Sequence, residues 1–220
     1  MSDNSSVTVL VVDDHAVFRE GVAAQINAEP DMTVIGEAGN AENAIDIVIK
    51  KKPQIVLLDI DMPGLSPFDA AMTMVTHQPD TRIIFLSAFS HDSYIEQAIQ
   101  TKAWGYITKN ESYDVIRRAI REVAGGWVYY SDRIRTRIIN APEGPRLAAE
   151  SSTRASLLTP REVEVLRYLA RSMSTKEIAK VMHISPKTVD NHKTSMMSKL
   201  DIHDRVELAR YAFREGIATP

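Results

Sequence analysis

Five short apolar runs, at 7–12 (VTVLVV), 33–37, 55–58 (IVLL), 82–86 (RIIFL) and 104–108 (WGYIT), are spread through the first 125 residues with a helix-length stretch after each. Runs this short, rich in Val, Ile and Leu and almost without polar alternation, read as strands buried on both faces. The stretches between them carry helical periodicity and begin near His15, Asn40, Ser66, Ser93 and Ser112. Strand–helix repeats with short connections and right-handed crossovers leave few solutions besides a doubly wound parallel sheet covered by helices. The expectation is therefore an α/β fold with a five-stranded parallel sheet. Its last helix, at 112–124, puts Val115, Ile116, Ala119, Ile120 and Val123 on one face and ends at Gly125-Gly126.

Four of these runs end on chemically distinctive positions: the pair Asp13-Asp14, then Asp59, Ser87 and Lys109. In a parallel sheet all four gather at the carboxyl edge, where open α/β sheets place their ligands. Crowded carboxylates repel, and a hard divalent cation such as Mg²⁺ relieves that repulsion. A carboxylate beside such a cation can attack a phosphoryl group, while a serine hydroxyl and a lysine ammonium pair with its oxygens. Taken singly, an Asp at a strand end is more often a helix cap, and a lone Ser or Lys is ordinary surface. The four together, each directly after a buried strand, point to phosphoryl chemistry.

A chain of 220 residues suits two domains better than one. It has no cysteine, which excludes disulfides and thiolate metal sites. The opening MSDNSS has neither a basic nor an apolar signal region, and no apolar stretch nears the roughly 20 residues of a membrane span, so a cytoplasmic protein is expected. The net charge of −3 hides an asymmetry: from Arg154 onward there are 12 Lys and Arg against 8 Asp and Glu, so this end is basic and the rest acidic. An acidic part suits a divalent cation, and a small basic part suits a polyanion.

After a short amphipathic piece at 132–139, the stretch NAPEGPRLAAESSTRAS reads as an exposed linker. The expected organisation is a phospho-acceptor domain at 5–126, a linker with a short helix at 127–153, and an all-α domain of four helices at 154–220. Those helices are expected at 160–171, 175–182, 186–200 and 205–216. Their starts are marked by Thr159-Pro160, by Ser185-Pro186, and by a capping box of Ser174 with Glu177. Two short helices and a tight turn before a longer polar helix form a helix-turn-helix. On that longer helix Val189, Met196 and Leu200 make an inward stripe, and Lys187, Asn191, Thr194, Ser195 and Ser198 lie opposite. Asparagine can pair with adenine and threonine can touch a base edge, while Lys187, Lys193 and Lys199 can take phosphates. His192 and the pair Met196-Met197 have no metal-ligand spacing and read as packing residues.

The segments LVVDDH, LLDIDMPG, FLSAF and GYITK resemble the receiver domain of two-component response regulators. LTPREVEVLRYLARSMSTKEIAKVMHISPKTVDNHKTSMMSKL resembles a LuxR-type helix-turn-helix, and together they resemble the NarL/FixJ family. The resemblance implies that a sensor histidine kinase phosphorylates Asp59. It implies a Mg²⁺ ion held by Asp14 and Asp59, by Asp13 often through water, and by the main-chain carbonyl of Asp61. Ser87 and Lys109 would bind the phosphoryl group and Tyr106 would change orientation with it. The implied contacts to double-stranded DNA are Lys187, Thr188, Asp190, Asn191, Lys193, Thr194 and Lys199. The helix at 205–216 resembles a dimerisation element, which implies a homodimer in the active state.

The implied role is a regulator rather than a turnover enzyme, with a DNA-binding regulator not gated by phosphorylation as the alternative. Two positions depart from the family pattern: Asn110 stands where many receivers have proline, and Ser172 where the helix-turn-helix usually has glycine. A rival is the haloacid-dehalogenase-like phosphatases, because Asp59-Ile60-Asp61 also resembles their DxD motif. Those enzymes carry DxD on the first strand and further acids downstream, and here Asp13-Asp14 comes first.

Overall fold

The apolar runs form the strands β1 (Val7–Val12), β2 (Met32–Ala38), β3 (Ile55–Asp59), β4 (Arg82–Ser87) and β5 (Gly105–Thr108). The computed structural model describes residues 6–88, 91–141, 144–148 and 154–218. Between the strands lie α1 (Ala16–Asn27), α2 (Ala41–Lys51), α3 (Pro67–His77) and α4 (Asp92–Gln100), and α5 (Tyr113–Ala124) follows β5. All strand pairs of this sheet are parallel, in the order β2-β1-β3-β4-β5-β6. The sixth strand, β6 (Tyr129–Tyr130), corrects the expectation of five and carries the sheet past residue 126. Its two residues are too few to show any period.

Successive residues of a strand face opposite sides, and here both sides are covered. Val9, Val11, Ile55, Leu57, Ile84, Leu86 and Ile107 share one core with Val22 and Ile26 of α1 and with Ile116, Ala119, Ile120 and Val123 of α5. Leu10, Val12, Val56, Leu58 and Phe85 are equally buried on the other face, where the Phe85 ring meets Phe68 of α3 at 4.8 Å. Each such side chain contributes roughly 1.5–3 kcal/mol by leaving water. At the edge, β5 and β6 approach closely because residue 105 is glycine: a Cβ there would lie 2.9 Å from the Tyr129 carbonyl oxygen. The Arg82 guanidinium donates to the terminal carbonyls of α5 at Val123 and Ala124 and stacks over the Trp104 ring at 4.4 Å.

The chain divides into two units, residues 1–88 with 100–136 and residues 89–99 with 137–220, so most of α4 groups with the second. The first also holds α6 (Asp132–Arg135), shorter than the amphipathic piece expected at 132–139. The second holds an antiparallel hairpin, β7 (Ile138–Ala141) with β8 (Gly144–Leu147), inside the stretch expected to be linker. Ile138 and Ile139 are β-branched and suit a strand, but four residues a side give no readable alternation. Residues 142–143 and 149–153 of the expected linker lie outside the described residues.

Four helices then follow a 3₁₀ turn at Arg154–Leu157: α7 (Pro160–Ala170), α8 (Thr175–Val181), α9 (Pro186–Leu200) and α10 (Arg205–Arg214). The capping box of Ser174 with Glu177 is present, and Thr159 with Glu162 forms a second one. Among the described residues no helix is long and apolar enough to cross a membrane.

Candidate functional site

β1 lies between β2 and β3, so the strand order reverses beside it, and the carboxyl ends of β1 and β3 flank the switch point at which open α/β sheets form their ligand crevice. Asp13 directly follows β1 and Asp59 ends β3, and both are fully buried. Lys109, directly after β5, reaches into the crevice and bridges them, its Nζ 2.7 Å from Asp13 Oδ2 and 2.8 Å from Asp59 Oδ2. Its backbone N–H donates to the Ser87 carbonyl at 2.7 Å, which ties the lysine to the end of β4. The second oxygens of the two acids are held by main chain: the His15 N–H donates to Asp13 Oδ1 at 2.9 Å, and the Asp61 N–H to Asp59 Oδ1 at 3.0 Å. Asp14 faces solvent beside the His15 ring, Nδ1 to Oδ1 2.7 Å.

Burial is the main cause that pushes the Asp59 carboxyl up to about 6; the Asp13 charge adds to it and Lys109 opposes it. Burial alone would depress the Lys109 ammonium, but Asp59 and Asp13 outweigh it and hold the group above its usual value. Three carboxylates, Asp13, Asp14 and Asp59, thus gather beside one ammonium, which pairs with Asp13 and Asp59, and ligand atoms of these acids and of His15 lie within 4.8 Å of one another. That donor set and its negative excess fit a divalent cation. Ser87 and Tyr106 are fully buried on β4 and β5, and Asp61 is nearly so.

In the second unit α9 begins at Pro186 with Ser185 as its cap, which accepts from the Thr188 N–H at 3.0 Å. Val189, Met196 and Leu200 are buried, as their spacing predicts. Lys187, Asn191 and Thr194 are exposed and Lys193 is half-buried, and none of the four side chains is bonded to another described residue. The other expected DNA contacts are engaged within the protein. The Thr188 hydroxyl pairs with Ser185 at 2.7 Å, Asp190 accepts from the Thr175 hydroxyl at 3.2 Å, and Lys199 Nζ lies 2.7 Å from Glu162 Oε2.

Glu162 is the hub of this small domain. It is buried, closes the capping box of α7 and accepts from Ser195 at 2.6 Å as well as from Lys199. Burial pushes its carboxyl up, but the bonds from Lys199, Ser195 and Thr159 prevail and hold it below the usual carboxylate range. At the end of α7, Ser172 takes a left-handed conformation with φ of 63°, which explains why glycine is usual there.

Residues 9–121 match the family model of the response regulator receiver domain, and residues 156–212 match that of the bacterial regulatory proteins of the luxR family. The oxygen regulatory protein NreC of Staphylococcus aureus is 33% identical over 212 residues, covering 95% of this chain and 98% of that protein. The chain belongs to the LuxR-family two-component response regulators. The transcriptional regulatory protein DegU of Brevibacillus brevis is 29% identical over 228 residues, 97% of this chain and 96% of its own. RcsB of Salmonella enterica, solved bound to promoter DNA with phosphomimetic BeF₃⁻, shares the fold with a TM-score of 0.73 at 22% identity, over 94% of this chain and 98% of that one.

In this response regulator the structure brings together Asp13, Asp14, Asp59 and Lys109, with Ser87 holding Lys109 through its carbonyl. Two participants escape a reading of the sequence. His15 looks like an ordinary helix start, and only its neighbourhood to an acidic pair could have marked it. Glu162 looks like a surface capping residue, because its partners Ser195 and Lys199 lie more than thirty positions away.

Proposed function

We propose that Asp59 accepts a phosphoryl group from a sensor histidine kinase in the cytoplasm, and that this controls binding of α9 to double-stranded DNA. The observation that carries the reading is the bridge of Lys109 to Asp13 and Asp59 at 2.7 and 2.8 Å, at the edge where the strand order reverses. One Asp59 oxygen is fixed by the Asp61 N–H, and the other lies 2.8 Å from Lys109 Nζ. That oxygen bonds to phosphorus as the P–N bond of a phosphohistidine breaks, and the kinase imidazole leaves with the electron pair. Lys109 then pairs with one phosphoryl oxygen and the Ser87 hydroxyl donates to another, while Tyr106 reorients. The added charge of about −1.5 to −2 biases a two-state balance.

Asp13, Asp14 and Asp59, with the main-chain carbonyl of Asp61, would hold Mg²⁺, Asp13 through water. When bound, the ion neutralises the charge of the incoming phosphoryl oxygens. On DNA, Lys187 and Lys193 take phosphates, and Asn191 and Thr194 read base edges. Thr188, Asp190 and Lys199, engaged within the protein, fix the pose of α9 instead. Val206 of α10 is 59% exposed, which supports a homodimer whose two α9 helices lie about 34 Å apart on neighbouring half-sites. We assign the receiver to 5–126, the linker to 127–153 and the DNA-binding domain to 154–220, with β6 as an extension of the receiver sheet.

The test combines acetyl phosphate, phosphate-affinity electrophoresis and DNA mobility shift on wild type and Asp59→Asn. One phosphoryl group per chain is expected, dependent on Mg²⁺ and lost in the variant, with DNA affinity changed at least about fivefold. Equal affinity in all four states would leave a regulator without a phosphorylation gate. Multiple turnover of phosphoesters abolished by Asp61→Asn would make the pocket a phosphatase.

A further inference from the structure

His15 occupies the cap position of α1, yet its ring makes no capping bond to the helix. The ring instead lies over the acidic pocket, with Nδ1 2.7 Å from Asp14 Oδ1 and 3.4 Å from Asp13 Oδ1, and the side chain remains 65% exposed. The buried acids are already engaged from inside the protein, by Lys109 and by the N–H groups of His15 and Asp61. Asp14 is engaged by His15 alone among the described residues. An ion arriving from solvent therefore meets a carboxylate and an imidazole side by side.

The spacing suits a single ion. Two donors each roughly 2.1 Å from one metal and at right angles stand about 3 Å apart, and donors across the metal about 4.2 Å. The 2.7 and 3.4 Å separations bracket the first value, and all four residues offer atoms within 4.8 Å of one another. Mg²⁺ takes oxygen donors and has no use for the imidazole, whereas Co²⁺, Ni²⁺ and Zn²⁺ favour a nitrogen ligand.

We propose that His15 is a metal ligand, and that with Asp13 and Asp14 it makes the pocket a site for a borderline divalent transition-metal ion that competes with Mg²⁺. The inference rests on the pocket being the Mg²⁺ site proposed above. A transition ion on Asp13, Asp14 and His15 occupies the space beside Asp59, so the two kinds of ion are alternatives rather than partners.

Co²⁺ is the probe, because its visible absorption reports the ligands around it. The full chain is titrated with Co²⁺ by absorption and with Mg²⁺ by calorimetry, as wild type, His15→Asn and His203→Asn. The last removes the surface histidine that lies 3.9 Å from Asp201. Wild type and His203→Asn are expected to bind Co²⁺ at least about tenfold more tightly than His15→Asn, with Mg²⁺ affinity within about twofold in all three. Added Mg²⁺ should displace Co²⁺ competitively.

Unchanged Co²⁺ affinity in His15→Asn, or its loss in His203→Asn, overturns the proposal. An equal loss for both ions in His15→Asn also overturns it, because the ring would then only hold Asp14 in place. Failure of the Mg²⁺ reading shows separately, as wild type and Asp13→Asn giving the same Mg²⁺ titration.

Discussion

Asp59 is fully buried beside a second buried acid, and one ammonium serves both. Its carboxyl is pushed up to about 6, mainly by burial, so the folded state favours the protonated form. The stability this group contributes is therefore full below its unfolded value of 3.8 and is lost as pH rises through about 6. At pH 7.5 without divalent cations, Asp59→Asn should stabilise the chain by about 1–3 kcal/mol. Thermal unfolding checks this: wild type should gain stability from Mg²⁺ and the variant should not, and equal metal-free melting temperatures would refute the account. Ser172 makes a second case. Its φ of 63° costs an L-residue roughly 1–2 kcal/mol, part of which glycine returns as unfolded-chain entropy. Ser172→Gly should raise stability by roughly 0.5–1 kcal/mol in urea unfolding, with α9 still helical by circular dichroism.

The β5–β6 edge depends on Gly105. A Cβ at that position would lie 2.9 Å from the Tyr129 carbonyl and 3.1 Å from Ile84 Cγ2, so alanine must push β6 away. Gly105→Ala should cost about 1–3 kcal/mol. Hydrogen exchange should locate the damage at the amides of Tyr129 and Ser131, which donate to Trp104 and Tyr106. This edge also shows what the sequence does not disclose. The first five strands and the helices of the last 60 residues were legible because each carries a period or a cap within itself. β6 and the β7–β8 hairpin are two and four residues long and exist only through their partners. The same holds for side chains: strand ends place Asp59 and Lys109, whereas Glu162 gains its role from the packing of α9 on α7. Before α4, burial lowers His91 to about 4, so its ring is neutral in the fold, with Ser93 Oγ 2.8 Å from Nδ1. Its contribution is full above pH 6.5 and is lost as pH falls towards 4. His91→Asn should remove about 1–3 kcal/mol of the stability change between pH 7 and pH 4.5 in denaturant melts.

At the scale of the whole molecule, charge separates the two functions the chain joins. In the function proposed above the acidic crevice takes a cation and a phosphoryl group, and the basic end, with 12 Lys and Arg against 8 Asp and Glu from Arg154 onward, meets a polyanion. That excess is small, so affinity for DNA must come from a few well-placed cations and not from a general positive field. Lys187 is exposed at the start of α9, where the helix dipole also favours a phosphate, while Lys199 is committed to Glu162. Replacing Lys187 with alanine should therefore weaken binding about equally on specific and random duplexes. It should also reduce the slope of log affinity against log salt by about 1 per protomer. Asn191→Ala should behave oppositely, losing roughly 1–3 kcal/mol on the preferred site and little on random DNA, with the salt slope unchanged. Fluorescence anisotropy at several salt concentrations separates the two. If Lys199→Ala lowered the salt slope as much as Lys187→Ala while the domain stayed folded, the division of α9 into free and committed cations would be wrong.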